Sequence, residues 1–321
     1  MFQGRHEQNC GAFCGRDLFC CAAILLLLLT CGCGNMGGDD PRAVALVQQH
    51  LTPAQKRIVT DKTGERHIVM LGLHGKDAEI LLPHLSGLPQ LSELGVAIHD
   101  INPEQLKTIA ALDSLESLSI RCEDEDLKYL QPLTNLRRLN LSGPITDAGL
   151  KYLAPLQNLR KLDLGLTEVK GPGFAELGPL PKLEWLDLHA TPLDDRAIPS
   201  IVANFKMLKR LNISGTNITP AGLMQLADLH WLSNIAPPED IIRPGENWRD
   251  QGVERMALML EFHKAHTASK QKARAAGIEV PSVHRGPFSN AADLLEALRL
   301  KEERRQNESD AAVEQNDSEA K

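Results

Sequence analysis

LRRLNLSGPITDAGLKYLAPLQN (residues 136–158) and LKRLNISGTNITPAGLMQLADLH (residues 208–230) decide the fold of this chain. Each opens on L-x-x-L-x-L, or its Ile-ended equivalent, passes through a turn and closes on a second apolar run. The same opening starts at Ile68, Leu91, Leu115, Leu136, Leu159, Leu183 and Leu208, giving seven copies whose starts lie roughly 21 to 25 residues apart. A period of that length predicts a solenoid, in which no single copy buries its own apolar face and stacked copies share one core.

The two halves of a copy have different periodicities. Leu136, Leu139 and Leu141 point inward, the last two alternating as on a strand. Leu150, Leu153 and Leu156 then recur every three residues, as do Leu106-Ile109-Leu112 and Leu223-Leu226-Leu229. That spacing suits a short helix or 3₁₀ segment behind the strand. Thr219-Pro220 and Asn102-Pro103 each place a capping side chain before a proline at the first helical position, where the missing N–H costs nothing. Thr146 and Asp194 are further cap candidates. Cys122 falls at an inward apolar position, which reads as a buried structural thiol.

These motifs resemble the leucine-rich repeat superfamily, in particular its I-T-D-x-G-L subtype and the exported bacterial lipoproteins that carry it. The resemblance runs from about Ile68 to His230. It implies an α/β solenoid with a curved parallel sheet on the concave face and short helices on the convex face. It also implies a binding role rather than catalysis. Thr167, Thr191 and Thr216 stand where many such proteins carry an asparagine ladder, with hydroxyls expected to bond backbone groups in the turn.

The ends read differently. Arg5 and Arg16 precede an apolar run from Ala22 to Leu29 that is too short to span a bilayer and suits the core of an export signal. Thr30-Cys31-Gly32-Cys33-Gly34 follows, resembling a lipoprotein signal over residues 1–33. Cys33, with Gly32 before it, is the preferred lipidation candidate, and Cys31 the other. Localisation in the cell envelope is then expected, periplasmic or at the outer surface, with the membrane reached through the N-terminal lipid. Of the seven cysteines only Cys122 lies in the body of the chain, so no disulfide framework is expected.

Residues 34–67 read as an N-terminal cap, with a helix over Pro41–Leu51 and two strands around Asp61-Lys62-Thr63-Gly64. After the repeats, assigned to residues 68–230, the prolines of 231–245 suggest a linker. A helical extension over 246–300 follows, with one helix from about Asn247 to Ala276 bearing Val253, Met256, Ala257 and Leu260 on one face. A second is expected near Asn290. These helices either cap the array or form a separate module. Residues 301–321 hold almost no large apolar side chain and are expected to be disordered.

Chemistry is hard to find. His263 and His266 lie beside Glu261 without an H-E-x-x-H pattern, and a solvated helix face explains them. Glu123-Asp124-Glu125-Asp126 lacks the spacing of a calcium loop and reads as a surface turn. Nucleophile-elbow, P-loop and dinucleotide motifs are missing from the sequence, so no enzyme, cofactor or metal is expected. The net charge of −7 argues against a nucleic-acid partner.

A partner is expected on the concave strand positions Arg137, Arg138, Arg160, Lys161, Trp185, Asp187, Lys209 and Arg210, beside a polar column of Asn140, Asp163, Asp187 and Asn212. Trp and Arg are over-represented among interface hot spots. The leading expectation is a non-catalytic, lipid-anchored protein that recognises a protein or cell-surface polymer with an acidic surface. The alternatives are an envelope-organising structural protein and a regulatory subunit acting through its C-terminal helices.

Overall fold

In the computed structural model, residues 38–237 and 248–280 are described, without the side chains of 248–257. The signal-like segment with Cys31 and Cys33, residues 238–247, the helix expected at Asn290 and the tail 301–321 lie outside them. The chain forms two compact units that divide between Ser119 and Ile120. Strand β4 (Ser117–Arg121) carries the division.

The first unit opens with α1 (Pro41–His50), where the Asp40 carboxylate accepts the Arg42 N–H at 2.8 Å and Pro41 occupies the first turn. An antiparallel hairpin follows, β1 (Lys56–Thr60) with β2 (Arg66–His74). Its turn is closed by Asp61 and by Gly64 at φ +89°. β2 also starts the repeat array, since Ile68, Leu71 and Leu73 are buried and pair it in parallel with β3 (Glu93–Ala97) through Leu71 and Leu94. Behind them lie α2 (Gly75–Leu81) and α3 (Pro103–Ala110). Asn102 and Gln105 cap α3 reciprocally, each side-chain carbonyl accepting the other's N–H at 2.9 Å.

In the second unit β5 (Arg138–Ser142), β6 (Lys161–Asp163), β7 (Trp185–Asp187), β8 (Arg210–Asn212) and β9 (Asn234–Ala236) pair in parallel and in chain order. The helices between them are α4 (Asp147–Leu150), α5 (Gly173–Leu177), α6 (Ile198–Asn204) and α7 (Pro220–Gln225). The first residue of every coil is buried, as are the three-residue ladders behind the strands. The repeat array therefore folds as an α/β solenoid. It runs one strand beyond His230: Leu232 and Ile235 are buried and β9 pairs with β8, in the stretch read as the start of a linker. Pro237 takes the sixth position of that copy, where a leucine would have advertised it.

The I-T-D-x-G-L signature has a physical explanation between coils. Thr146 donates its N–H and hydroxyl to Asp124 of the preceding coil, at 2.8 and 2.6 Å, and Thr219 does the same to Asp195. Asp147 accepts the N–H groups of Lys170, Gly171 and Gly173 at 3.1, 2.9 and 2.9 Å. The motif's glycine makes room for that acidic residue, since a Cβ on Gly149 or Gly222 would meet the carboxylate of Asp124 or Asp195 within 2.4 Å. Each Asp thus satisfies helix-end donors that the short helices leave open. Asp124, read as part of a surface turn, serves as one of these inter-coil caps.

At the strand exits, Thr167, Thr191 and Thr216 donate their hydroxyls to the carbonyls of Leu164, Leu188 and Ile213 at 2.6, 2.7 and 2.7 Å. One residue before each threonine the backbone is left-handed, at Leu166 (φ 61°), Ala190 (φ 52°) and Gly215 (φ 67°). Only the last is a glycine, and Leu166 leaves 72 % of its surface in solvent. A side chain costs about 1–2 kcal/mol in this conformation. Leu166→Gly is accordingly expected to stabilise the protein by about 0.5–1 kcal/mol after the entropy of the extra glycine is counted. An unchanged or lower urea midpoint would mean that Leu166 contributes contacts that outweigh its strain.

The C-terminal helix α8 (Trp248–Ala275) packs on the last full coil. Met259, Phe262, His266 and Ala273 are its buried residues, while Leu260 is half-buried; the other residues of the expected face lie among side chains not described. His266 is 7 % exposed and sits 3.0 Å from the Leu229 carbonyl through Nε2, with the Phe262 ring stacked on it. This corrects the expectation of a solvated histidine pair. The i, i+4 step from Phe262 carries His266 onto the packed face, and His263 points aside, half-buried. Among the described residues no helix is long and apolar enough to cross a membrane.

Candidate functional site

The eight residues singled out in the sequence lie at the strand ends of four adjacent coils of the second unit. Six of them pair in twos along the chain, and the pairing has a backbone cause. The Arg137 carbonyl accepts both the Arg160 and Lys161 N–H groups, at 2.8 and 2.9 Å; Arg160 repeats this toward Glu184 and Trp185, and Glu184 toward Lys209 and Arg210. This shared carbonyl turns two consecutive side chains outward between buried leucines. Three columns result. The first holds Arg137, Arg160, Glu184 and Lys209, just before the strands. The second is Arg138, Lys161, Trp185 and Arg210, in strand register. The third is Asn140, Asp163, Asp187 and Asn212.

The columns differ chemically. In the first, Glu184 lies between two cations, 3.7 Å from Arg160 and 3.2 Å from Lys209, so part of the basic stripe is compensated within the face. In the second, Trp185 is half-buried and the Lys161 ammonium lies 6.0 Å from its ring centroid, at the outer reach of a cation–π contact. Arg138, Lys161 and Arg210 are exposed around it. This column presents one large amphipathic ring among cations.

The third column is largely internal. Asp163 accepts the Gly165 N–H at 3.0 Å, Asp187 the His189 N–H at 2.9 Å and Asn212 the Ser214 N–H at 3.2 Å, each tying its own turn. Asp187 also receives the Asn212 amide at 3.1 Å and lies 2.8 Å from Nδ1 of His189. It is buried, so it braces its own column and turn instead of reaching solvent as the exposed cations do. Burial pushes the Asp163 carboxyl above its ordinary range, and the Asp187 charge adds to this. Gly165 lets the His189 ring lie over its backbone, since a Cβ there would fall 2.1 Å from the imidazole. Asp163, Asp187 and His189 bring donor atoms within 4.8 Å of one another, but the turn hydrogen bonds already account for their placement.

Cys122 and Ser269 are not set up as nucleophiles. The Cys122 thiol is buried, and its pKa is pushed up to about 12 by burial and then by Asp126, Asp124 and Glu123, which leaves it protonated. Ser269 donates its hydroxyl to Asp228 at 2.7 Å, so its proton faces away from His230, 3.0 Å distant. That arrangement ties α8 to the last coil. The sequence had no signal for the Glu184 bridge or the His189–Asp187 contact, since both depend on which side chains the shared carbonyls turn outward.

Residues 206–227 match the family model described as Leucine Rich repeat. The fold is a leucine-rich repeat solenoid, and these residues are its seventh coil. No curated protein matches the chain. Among solved structures the chain is similar to an internalin (inlF) from Listeria monocytogenes, at 20% identity and a TM-score of 0.35 over 53% of this chain and 54% of that one. It is likewise similar to internalin C2 (inlC2) of the same organism, at 20% identity and a TM-score of 0.40 over 55% of this chain and 74% of that one. The chain thus spans about half the length of the first of these.

Proposed function

We propose that the protein is a non-catalytic binding protein that recognises an acidic protein surface through the strand face of its second unit. The observation that carries this reading is the second column, where Trp185 stands half-buried in register between the exposed cations Lys161 and Arg210. A rigid amphipathic ring among guanidinium and ammonium groups is the composition of an interface hot spot. Export and lipid attachment at Cys33 or Cys31 belong to the same proposal and would hold this face in the cell envelope.

A photo-crosslinking residue placed at Arg138, beside the ring, tests the reading in envelope preparations of the native host. A defined protein adduct is expected. It should disappear with the double variant Trp185→Ala and Arg160→Ala, while the melting temperature stays nearly unchanged, because Arg160 is exposed and its ion pair with Glu184 contributes little. An adduct that survives the double variant, or one formed with a polysaccharide, refutes the proposal. Mass spectrometry of the processed N-terminus tests the anchor separately: a diacylglyceryl cysteine is expected at Cys33 or Cys31.

A further inference from the structure

The first unit holds a second polar cluster, at the β1–β2 hairpin and remote in character from the basic strand face. Asp61, Glu65 and His67 bring one donor atom each within 4.8 Å of one another. Asp61 is tightly constrained. Its Oδ1 accepts the Thr63 N–H at 2.8 Å, the Thr63 hydroxyl at 2.6 Å and the Glu65 N–H at 2.9 Å, while Oδ2 is turned toward Nε2 of His67 at 3.4 Å. These turn bonds alone explain the loop and would not point to a ligand.

The observation that does so lies on the other side of the imidazole. Asp39 has no exposed side-chain surface. Its Oδ2 accepts the Ile68 N–H at 2.9 Å, but Oδ1 has no hydrogen-bond partner. Nδ1 of His67 is also buried without a partner, and the two orphaned atoms face each other at 3.9 Å. Leaving such atoms unpaired is costly. They complement each other when the ring proton sits on Nδ1, which leaves the Nε2 lone pair turned toward Asp61, in the cluster that Glu65 completes. A histidine held from behind by a carboxylate, with its other nitrogen turned to further carboxylates, has the donor order of a metal centre with an orienting partner.

We propose that Asp61, Glu65 and Nε2 of His67 bind a divalent transition-metal ion of the zinc class, with Asp39 as the residue that positions His67. Imidazole nitrogen with carboxylate oxygen suits zinc, cobalt, nickel or manganese better than calcium, which prefers oxygen donors alone. The 3.4 Å between Asp61 Oδ2 and His67 Nε2 is close to the separation of about 3.3 Å between two ligands of a tetrahedral ion with bonds of about 2.0 Å. Three protein donors leave a fourth position open to water or to an incoming ligand.

The test is zinc titration calorimetry on the full-length chain in which Cys10, Cys14, Cys20, Cys21, Cys31 and Cys33 are serine, so that N-terminal thiolates do not compete. A single equivalent is expected to bind. His67→Gln should abolish binding, and Asp61→Asn and Glu65→Gln should each weaken it by at least about 10-fold. Asp39→Asn, which keeps an acceptor for the Ile68 N–H, should weaken it about 10–100-fold. Glu65→Gln lies on the half-exposed hairpin and keeps the test valid should a His67 variant fold poorly. Nitrogen-15 spectra of the His67 ring give an independent readout, with the proton expected on Nδ1 at saturating zinc. The proposal is overturned by an absence of zinc binding at millimolar concentration, by binding indifferent to the hairpin variants, or by a proton that remains on Nε2.

Discussion

Phe174→Ala is expected to lower stability by about 3–5 kcal/mol, the largest loss for any single truncation in the solenoid. Phe174 and Phe205 are fully buried and meet edge to face, with ring centroids 5.8 Å apart and planes at 86°. They belong to consecutive coils and stand where other coils place leucine or isoleucine, so the pair bolts one coil to the next. Asn204 reinforces the junction by donating its amide to the Phe174 carbonyl at 2.8 Å. A cavity the size of a benzene ring cannot collapse here, because the flanking ladders of leucines are held by strand pairing on one side and capped helices on the other. Phe205→Leu should couple to Phe174→Leu by about 1 kcal/mol in a double-mutant cycle, the part owed to the aromatic geometry. Because a repeat protein transmits stability between neighbours, hydrogen exchange should show protection lost first in α5 and α6. A urea-derived loss below about 1 kcal/mol would mean that the coils slide together and close the void.

Acidification is expected to release α8 before it unfolds the repeats. His266 is buried, and its pKa is lowered to about 4, first by desolvation and then by Lys270, with His263 and His230 adding smaller repulsions against the pull of the Leu229 carbonyl. Its folded pKa thus lies below the ordinary value of 6.5, so the docked helix favours the neutral ring. The contribution is intact above pH 6.5. It is lost progressively as pH falls toward 4, where the unfolded chain binds the proton and the folded one does not. A gap of that size corresponds to about 3 kcal/mol. His230, lowered mainly by desolvation, acts in the same direction. Asp39 and Asp163, both raised mainly by burial, act in the opposite direction, but neither lies on α8. The response of α8 itself as pH falls below 6.5 is therefore set by the histidines. Hydrogen exchange of α8 should accelerate over that fall, and His266→Gln, which retains a donor for the Leu229 carbonyl, should flatten the dependence. An α8 whose protection does not vary with pH in the wild-type chain would show that His266 is not held neutral by the packing.

The repeats were legible because a solenoid writes its fold locally. Leu139 and Leu141 alternate as a strand must, and Leu150, Leu153 and Leu156 step as a tight helix must, so periodicity alone assigned both faces. The cap at Asn102 was equally plain, since capping is decided within three residues. Reading stopped short where a neighbour two dozen residues away decides. Nothing local distinguishes Asp124 in an acidic run from a solvated turn; only the next coil's Thr146 makes it a cap. His266 looked like half of a polar pair, because the surface that α8 packs on is built from residues of another coil. The last strand was hidden by Pro237, which takes a leucine's place. The strand-face residues were named from alternation, yet the neutralising position of Glu184 and the internal bonding of Asp187 required the register.

By itself the sequence determined the period, the inward leucines, the strand-then-helix order of each coil and the side chains that turn outward, because each depends on spacing along one short segment. The tertiary structure decided which acidic residue satisfies which helix end, which cations are compensated on the strand face, and that Asp39 meets His67 across 28 positions of chain. These are pairings between groups that hydrogen-bonding geometry and burial bring together only after the coils have stacked. An isolated sequence position carries a side chain's chemistry, but its charge state and partner are set by what surrounds it.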